Sequence, residues 1–492
     1  MYTIINNTIK AGFKPSDTAQ RGLYLLLYEA IKKLIENSDI PEGTIMPPTR
    51  NLSEFIGISR STVVKAYNLL SENRLLLAKQ GSGYIVANGP RRTKSQHTEI
   101  LNYPEVSGLG QSFLNNIHLL AGTNTEGMAF TPGLPPVDIF PIGAWQKLSN
   151  MYWRHIKSSD LNYSISSGIE SLKQNIANYL LLSRKIKADP SQIVIVAGSL
   201  QSLYLVGTVL IDKGNSVCLE NPTFPNVISI FKSLQANVIP VSTDEQGLKV
   251  SDMSTEAHLK AKIVHTAPSN QYPLGGKMSL DRRYELLDWA SRNSALIIEN
   301  DYEHEINNWE KPIESVFSLD NQQRTIYLGT FNRILHPSIR LGYMVLPQHL
   351  LPAIKALQMH SHRFVPQSIQ AVMTDFMGQN LIYKHIRKVI EEAADRKQLF
   401  LSLFDRLMEP SIHIKQTVVP SFHVVAEMEN GADEKLVAAL AAKGIVTHAL
   451  SKCYMGAPEK QGLILGYSCI NRSLITQSLQ KMAGIYNGKN WG

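Results

Sequence analysis

The chain has 492 residues, a formal net charge of +8 and an isoelectric point near 9.1, so it is long enough for about three domains and favours an anionic partner. Its three cysteines, Cys218, Cys453 and Cys469, lie far apart without metal-ligand spacing, so we expect small buried thiols and no metal site. The absence of a signal peptide and of a long apolar run argues against a membrane protein and predicts a cytoplasmic location.

Residues 17–88 are predicted to form three helices followed by a hairpin. Apolar side chains recur at helical spacing through residues 23–35, which indicates a first amphipathic helix. The run Pro47-Pro48-Thr49-Arg50 opens a short second helix, since proline is tolerated at a helix start. Gly57 is expected to end this helix, because glycine adopts the left-handed backbone conformation at least cost.

The third predicted helix begins at Ser59, whose hydroxyl can cap it. One apolar stripe at helical spacing is made by Val63, Ala66, Tyr67 and Leu70. The polar side chains that fall off this stripe are Arg60, Ser61, Lys65 and Asn68. A hairpin with a Gly-Ser-Gly tip follows, with Lys79 at its base. A recognition helix followed by a basic wing is typical of a winged helix-turn-helix, which binds DNA.

The segments 47–53, 57–63 and 81–86 closely resemble the GntR-type DNA-binding domains. In that family the arginine that opens the second helix, the Ser-Arg-x-Thr start of the third helix and the wing contact DNA. The resemblance implies a double-stranded DNA operator as partner, and with the basic wing it points to Arg50, Ser59, Arg60, Thr62, Lys65, Lys79 and Gly83. Residues 1–95 hold 13 lysines and arginines against 7 acidic residues, which is the excess that phosphate contacts require.

Residues 89–125 show no periodic pattern and are predicted to be a linker. The run 89–96 is polar and basic. It could be a flexible tether or an added contact to the DNA backbone, and the tether is the simpler interpretation.

From residue 126 short β-rich runs alternate with helical stretches. The seven runs predicted as strands are 193–197, 216–220, 237–241, 262–266, 295–299, 325–329 and 342–346. Apolar strands separated by helices indicate an α/β fold with a mostly parallel seven-stranded sheet that is covered on both faces. We predict a large domain at residues 126–385 and a small α+β domain at residues 386–492.

Several loops at the predicted strand ends carry chemically useful residues. Gly198-Ser199-Leu200-Gln201 opens a helix, where free backbone N–H groups and the Ser199 hydroxyl could hold a phosphate. The loop 221–225 presents Phe224 as a stacking ring, although a core aromatic would be the simpler interpretation of that residue alone. Together with the loops 268–275, 299–302 and 329–343, these segments resemble the fold-type I aminotransferases.

The whole chain is similar to the MocR-type regulators, in which a GntR-type head is fused to an aminotransferase-like body. The resemblance implies pyridoxal phosphate as an effector and a head-to-tail homodimer. It places the phosphate cup at Ser199, Thr330 and Arg340 and the stacking ring at Phe224. It also assigns to the Tyr302 hydroxyl a contact with the oxygen of the cofactor ring.

Four positions depart from the family pattern. The family's histidine is Asn270 here, a common glutamine of the phosphate loop is Leu200, and the two other departures bear directly on the cofactor. The lysine that forms the aldimine with the cofactor is Arg333 here, and a guanidinium stays protonated and offers no nucleophilic amine. The aspartate that pairs with the pyridine nitrogen is Asn300, which carries no charge. Asp301 could replace it only by turning around, because successive strand residues face opposite sides. We therefore expect no covalent aldimine, while pyridoxal phosphate could still bind non-covalently.

Two interpretations of this pocket stay open. The pocket binds a phosphorylated or aromatic ligand, or the body only dimerises and holds the DNA-binding heads. The retained Arg340 favours a ligand, since burying an unpaired arginine would be costly. For the whole chain we predict a DNA-binding transcriptional regulator. The alternatives are an aminotransferase with a DNA-binding head, which the loss of lysine and aspartate argues against, and an enzyme that uses Lys277 or Lys452 as its amine, which nothing in the sequence supports.

Overall fold

The computed structural model describes residues 2–13, 22–79, 83–87, 104–120, 129–308, 313–429 and 432–488. The chain divides into two compact units, Met1–Glu105 and Val106–Gly492. Each unit has its own hydrophobic core.

The first unit contains four helices and one hairpin within the described residues. These are α1 (Tyr2–Gly12), α2 (Leu23–Glu36), α3 (Thr49–Ile56), α4 (Arg60–Glu72), β1 (Leu76–Lys79) and β2 (Gly83–Val86). The two strands pair antiparallel, with Leu76 opposite Val86. The predicted winged helix-turn-helix is therefore present, although the tip of its hairpin at residues 80–82 lies outside the described residues.

Local chemistry sets the boundaries of α3 and α4. Gly57 follows α3 with φ +74°, the left-handed conformation expected there. Ser59 caps α4, because its Oγ accepts a hydrogen bond from the Thr62 backbone N–H at 3.2 Å. All four side chains of the predicted apolar stripe are fully buried: Val63, Ala66, Tyr67 and Leu70.

An additional helix, α1, precedes the predicted head. Its residue Ile9 and the following Phe13 are buried in the same core as α2 and α4. The Asn6 side chain donates a hydrogen bond from Nδ2 to Oδ1 of Asn51 on α3 at 2.8 Å. The predicted start of this domain at residue 17 therefore leaves out a helix that belongs to its core.

The second unit is built around an eight-stranded sheet. Its strands are β3 (Ile193–Val196), β4 (Ser216–Asn221), β5 (Asn237–Asp244), β6 (Gly247–Leu248), β7 (Ile263–Thr266), β8 (Leu296–Asn300), β9 (Thr325–Thr330) and β10 (Gly342–Val345). Their order across the sheet is β3-β10-β9-β8-β7-β4-β5-β6. The central pairs are parallel, whereas β10 runs antiparallel to β3 and β9, and β6 to β5. The predicted count of seven is wrong by one, because β6 is too short to show a strand period.

Helices cover both faces of this sheet. The helices around the sheet are α5 (Gly108–Asn116), α6 (Ile142–His155), α7 (Glu170–Arg184), α8 (Ser199–Leu210), α9 (Pro225–Ser233), α10 (Glu256–Leu259), α11 (Leu280–Arg292), α12 (His304–Asn308), α13 (Val316–Leu319), α14 (Leu351–Ser361) and α15 (Gln367–Gly378). The helix α5 packs against α9 and lies within residues 89–125, so the prediction of a linker is wrong for that segment. Ile193 and Ile195 of β3 pack into one core, while Val194 and Val196 pack into another. Successive residues of β3 are thus buried on opposite faces of the sheet, as expected when helices cover both faces.

A smaller α+β region follows the long helix α16 (Leu381–Leu407). It contains β11 (Ile412–Ile414), β12 (His423–Met428), α17 (Asp433–Ala441), β13 (His448–Ala449), β14 (Gly462–Gly466) and α18 (Arg472–Asn487), with the antiparallel strand order β11-β12-β14-β13. The predicted boundary between residues 385 and 386 falls within α16. Phe130, near the start of the predicted large domain, is bridged to Gly466 and buried in the core of this smaller region. None of the helices described is long and apolar enough to cross a membrane.

Candidate functional site

The polar face of α4 is open to solvent. Arg60 and Lys65 are exposed, and so are Ser61 and Asn68 on the same side of the helix. Ser59 and Thr62 stabilise the start of the helix, and their hydroxyl oxygens lie 2.8 Å apart. Within the described part of the first unit, no contact buries the face that is predicted to read DNA.

The wing is fixed against this helix. The Tyr84 hydroxyl on β2 donates a hydrogen bond to Oδ1 of Asn68 at 3.1 Å. The Tyr84 ring also meets Tyr67 edge to face, with ring centroids 5.1 Å apart. Gly83 has φ +85° with open space around it, so its backbone conformation is what favours glycine there. The side chain of Lys79 lies outside the described part of the chain, so its contact with DNA stays a prediction.

Arg50 lies in the first turn of α3 and is exposed. Its Nε is 3.1 Å from Oε1 of Glu54, in an ion pair whose two side chains are both open to water. Such exposed pairs contribute about 0–1 kcal/mol. Arg50 can therefore leave Glu54 at small cost to contact a phosphate.

In the second unit, one cavity of about 310 Å³ collects all the predicted cofactor residues: Ser199, Phe224, Asn300, Tyr302, Thr330, Arg333 and Arg340. The cavity lies at the carboxyl ends of the neighbouring strands β9, β8, β7 and β4. Ligands of parallel α/β sheets bind at this edge. The cavity wall also includes three residues that the sequence analysis missed: Gly133, Glu220 and His265.

One end of the cavity is suited to a phosphate. Ser199 is the first residue of the 12-residue helix α8, where backbone N–H groups are unpaired along the helix axis. The Thr330 Oγ1 accepts a hydrogen bond from the Asn332 N–H at 3.2 Å. Arg340 lines the same cavity but is exposed. The argument that a buried, unpaired Arg340 requires a ligand is therefore wrong, because water can solvate this guanidinium.

Arg333 lines the cavity. Its Nη1 donates a hydrogen bond to the Gly133 carbonyl and lies 3.7 Å from Oε1 of Glu303. Its guanidinium carbon is 5.7 Å from the Phe224 ring centroid and 5.4 Å from that of Tyr302, within cation–π range. A Cβ at position 133 would fall 1.3 Å from Nη1, so this placement of Arg333 requires glycine at position 133.

Glu303, the partner of Arg333, is fully buried. Its Oε2 accepts hydrogen bonds from Asn270 Nδ2 at 3.1 Å and from Ser421 Oγ at 2.6 Å. Burial raises the pKa of Glu303, although Arg333 and the Ser421 hydrogen bond act against that rise. Asn270 also accepts a hydrogen bond at its backbone carbonyl from the Tyr302 hydroxyl, at 2.9 Å. These contacts join the cavity wall to the smaller α+β region.

Asn300 faces the cavity and Asp301 faces away from it. Nδ2 of Asn300 is 3.4 Å from Nε2 of His265, and burial lowers the pKa of His265 to about 4, so that imidazole is neutral. Asp301 instead pairs with Arg184 and accepts a hydrogen bond from the Tyr327 hydroxyl at 2.8 Å. Asp301 therefore does not supply the carboxylate that Asn300 lacks.

Glu220 lines the cavity from the end of β4. Its Oε1 accepts hydrogen bonds from Thr266 Oγ1 at 2.6 Å and from the Ala267 N–H at 3.1 Å. Its Oε2 has no hydrogen-bond partner within the described part of the chain. Burial raises the pKa of Glu220 to about 7, partly offset by these two hydrogen bonds. The sequence analysis missed this residue because it lies inside a run that signalled only a strand.

Pyridoxal phosphate fits part of this cavity. Ser199, Thr330 and Arg340 suit its phosphate, and Phe224 suits its ring. The aldehyde does not fit, because no lysine is among the residues that line the cavity, and Lys277 and Lys452 both lie elsewhere. The side chain that would face the ring nitrogen at the family's aspartate position is the neutral Asn300. No group of three or more potential metal ligands occurs among the described residues.

Two family models match the sequence. The model for aminotransferase class I and II matches residues 137–462, and the model for bacterial regulatory proteins of the gntR family matches residues 23–86. The first match covers every strand that borders the cavity. The second begins at α2 and ends at β2, so α1 lies outside it.

Regulators are among the most similar curated proteins. The chain is 28% identical over 463 residues to the "Probable rhizopine catabolism regulatory protein MocR" of Rhizobium meliloti, covering 94% of this chain and 93% of that protein. It is 26% identical over 441 residues to the HTH-type pyridoxine biosynthesis transcriptional regulator PdxR of Corynebacterium glutamicum, covering 90% and 91%.

Aminotransferases are among the most similar solved structures. An archaeal alanine:glyoxylate aminotransferase aligns with a TM-score of 0.69 and 22% identity, over 78% of this chain and 96% of its own. LysN, the α-aminoadipate aminotransferase of Thermus thermophilus, aligns with a TM-score of 0.67 and 21% identity, over 78% and 95%. The second unit therefore has the fold-type I aminotransferase fold.

Proposed function

Because the chain belongs to the aminotransferase class I and II family and carries a GntR-type head, we propose that it is a DNA-binding transcriptional regulator whose aminotransferase-like domain binds an effector and dimerises. The observation that carries this proposal is that one chain combines two features. It has an exposed recognition face on α4, and it has an arginine at the position of the lysine that forms the aldimine. The first feature supports DNA binding, and the second removes the group that a transaminase needs.

The recognition face acts through two kinds of contact. Arg60 lies at the start of α4, where side chains of a recognition helix reach base edges in the major groove. Arg50, Lys65 and the wing contact phosphates and set the register of the head on the duplex. Tyr84 holds the wing to Asn68, so the wing and α4 approach DNA as one body.

The cavity holds its effector without a covalent bond. Pyridoxal phosphate is the effector that the family implies, and it would supply an aldehyde and an aromatic ring when bound. Ser199 and Thr330 would hold its phosphate, Phe224 would stack against its ring, and Arg333 lines the cavity at the position of the family's lysine. An aminotransferase with a DNA-binding head finds no support in these residues.

A homodimer completes the proposal. Four apolar side chains within residues 153–165 are between 55% and 76% exposed: Trp153, Leu161, Tyr163 and Ile165. A second copy of the chain would cover such residues, and exposed apolar surface of this kind marks interaction sites. Two heads would then bind paired half-sites, arranged head to tail as the family resemblance implies.

The decisive experiment is selection of duplexes from a randomised pool by the full chain. We expect enrichment of a paired half-site, and loss of that enrichment in the Arg60→Ala variant. Recovery of a random pool by the unmodified chain, at a salt concentration that permits binding, would refute the assignment as a regulator.

A further inference from the structure

We propose that the cavity recognises a planar aromatic ligand with a phosphate at one end and a carboxylate at the other, and that Arg333 binds the carboxylate. This inference rests on the proposed function, because it takes the cavity to be the effector site. It goes further by naming the chemical class of the effector and the residue that selects it.

Two arginines on the cavity wall favour a ligand with two anionic groups, and burial raises the pKa of Glu220, the carboxylic acid on the described wall, to about 7. Arg340, Ser199 and Thr330 line the cavity and are the residues we assign to the phosphate end, and Arg333 supplies a second cation on the cavity wall. The histidines near Arg333 do not add charge, because burial lowers the pKa of His423 and of His448 to about 4, with Arg333 acting in the same direction. Arg333 and Arg340 are therefore the cations that line this cavity in the described chain at neutral pH.

Glu303 leaves Arg333 able to bind an anion. The two side chains are 3.7 Å apart, which is longer than a charge-assisted hydrogen bond. Asn270 and Ser421 hydrogen-bond to Oε2 of Glu303, so the oxygen that faces the guanidinium is Oε1. The Arg333 side chain is 19% exposed, so a ligand in the cavity can reach it.

Arginine and lysine at this position recognise different groups. A lysine amine can condense with an aldehyde, whereas a guanidinium presents a planar fork of N–H donors that matches a carboxylate. Replacing lysine with Arg333 therefore changes the preferred ligand from an aldehyde to the corresponding acid. The Gly133 carbonyl and the rings of Phe224 and Tyr302 hold the guanidinium in place for that contact.

The remaining walls suit an uncharged aromatic ring between these two ends. Phe224 offers a stacking face and lies against Tyr272, with ring centroids 4.2 Å apart. Oδ1 of Asn300 has no hydrogen-bond partner within the described residues, and His265 beside it is neutral. A ligand ring with a neutral polar atom beside Asn300 and His265 would therefore meet uncharged side chains.

Calorimetric titration of the full chain with four probes tests the proposal. The probes are pyridoxal phosphate, the acid made by oxidising its aldehyde to a carboxylate, the alcohol made by reducing that aldehyde, and inorganic phosphate. We expect the acid to bind roughly 10- to 100-fold more tightly than the alcohol or the aldehyde, as a new charge-assisted hydrogen bond implies. Equal affinity for acid and alcohol would overturn the proposal.

Variants separate a specific contact from a folding defect. Arg333→Met should lose the preference for the acid while keeping the affinity for the alcohol, and Arg333→Lys should shift the preference to the aldehyde. Arg340→Met, at the other end of the cavity, should weaken acid, alcohol and aldehyde alike. An acid preference that survives Arg333→Met would refute the role of Arg333.

The ligand proposal and the assignment as a DNA-binding regulator can fail separately. If the chain selects a DNA site but binds none of the four probes, this ligand proposal fails and the assignment as a DNA-binding regulator stands. If the chain binds the acid but selects no DNA, the ligand proposal stands and the proposed function fails.

Discussion

Nε of Arg184 lies 2.7 Å from Oδ2 of Asp301, and both side chains are fully buried. Burial opposes ionisation of Asp301, but Arg184, His304 and two hydroxyl groups keep its pKa below the usual value. This ion pair holds Asp301 on the face of β8 opposite to Asn300. The neutral amide of Asn300 therefore faces the cavity, and the carboxylate of Asp301 does not.

Arg184→Met should lower the free energy of unfolding by about 3–5 kcal/mol, because it leaves the buried Asp301 carboxylate without its cation. Urea unfolding followed by circular dichroism measures the change. Lys185→Met is the matched control, since the neighbouring Lys185 pairs with Glu314 in an exposed ion pair and should change stability by less than about 1 kcal/mol. Equal effects of the two substitutions would contradict this account.

The unmodified chain should form no borohydride-stable adduct with pyridoxal phosphate and should show no transaminase activity, because Arg333 has no nucleophilic amine. Arg333→Lys should create an adduct at residue 333 with little turnover. Adding Asn300→Asp should be needed for more turnover, since the ring nitrogen then gains a carboxylate partner. Peptide mass mapping of the reduced protein locates any adduct, and one on another lysine of the unmodified chain would show that our interpretation of the cavity is mistaken.

Arg60→Ala should cost about 1–3 kcal/mol of base-dependent binding to the selected operator. Lys79→Ala should instead weaken binding to all sequences similarly and reduce the salt dependence by about one ion. Fluorescence anisotropy across a salt series, with the operator and a scrambled duplex, distinguishes the two effects. A uniform loss of affinity for Arg60→Ala would remove it from the base-reading residues.

Glu220→Gln should remove a pH dependence of stability. The pKa of Glu220 is about 7 in the folded chain and about 4.5 when unfolded, so its stabilising effect is complete below pH 4.5 and is lost as the pH rises through 7. The free energy of unfolding of the variant, taken relative to that of the unmodified chain, should rise by about 3 kcal/mol from pH 4.5 to pH 8. Urea unfolding at both pH values measures this gain, and Glu285→Gln at an exposed position is the control. The same relative stability at both pH values would show that Glu220 titrates normally.

The chain should sediment as a dimer at micromolar concentration without DNA. Leu161→Asp together with Tyr163→Asp should shift it toward the monomer, because charged side chains would then lie in the proposed apolar interface. Sedimentation velocity over a concentration series tests both points. A monomeric unmodified chain would overturn the dimer proposal.

The sequence predicts the parts of this fold that repeat or alternate. The stripe on α4 and the seven longer strands are visible because burial selects apolar residues at a fixed period. The helix α1 is not predicted from the sequence, and its burial depends on packing against α2 and α3.

Part of the cavity wall is predicted from the sequence, but the contacts between its residues are not. The motifs place seven residues in one site, and the structure collects them there. The contact between Arg333 and the Gly133 carbonyl joins residues 200 positions apart, and no local pattern encodes it. The exposure of Arg340 likewise depends on which distant segments pack beside it.

The alternation of residues along β8 has a consequence for how such a protein diversifies. Glu299 and Asp301 form buried ion pairs with Arg184 and Arg283, while Asn300 between them faces the cavity. One side of this segment therefore maintains the fold and the other side forms the cavity wall. A substitution at position 300 can change the chemistry of the cavity without disturbing the ion pairs on the opposite side.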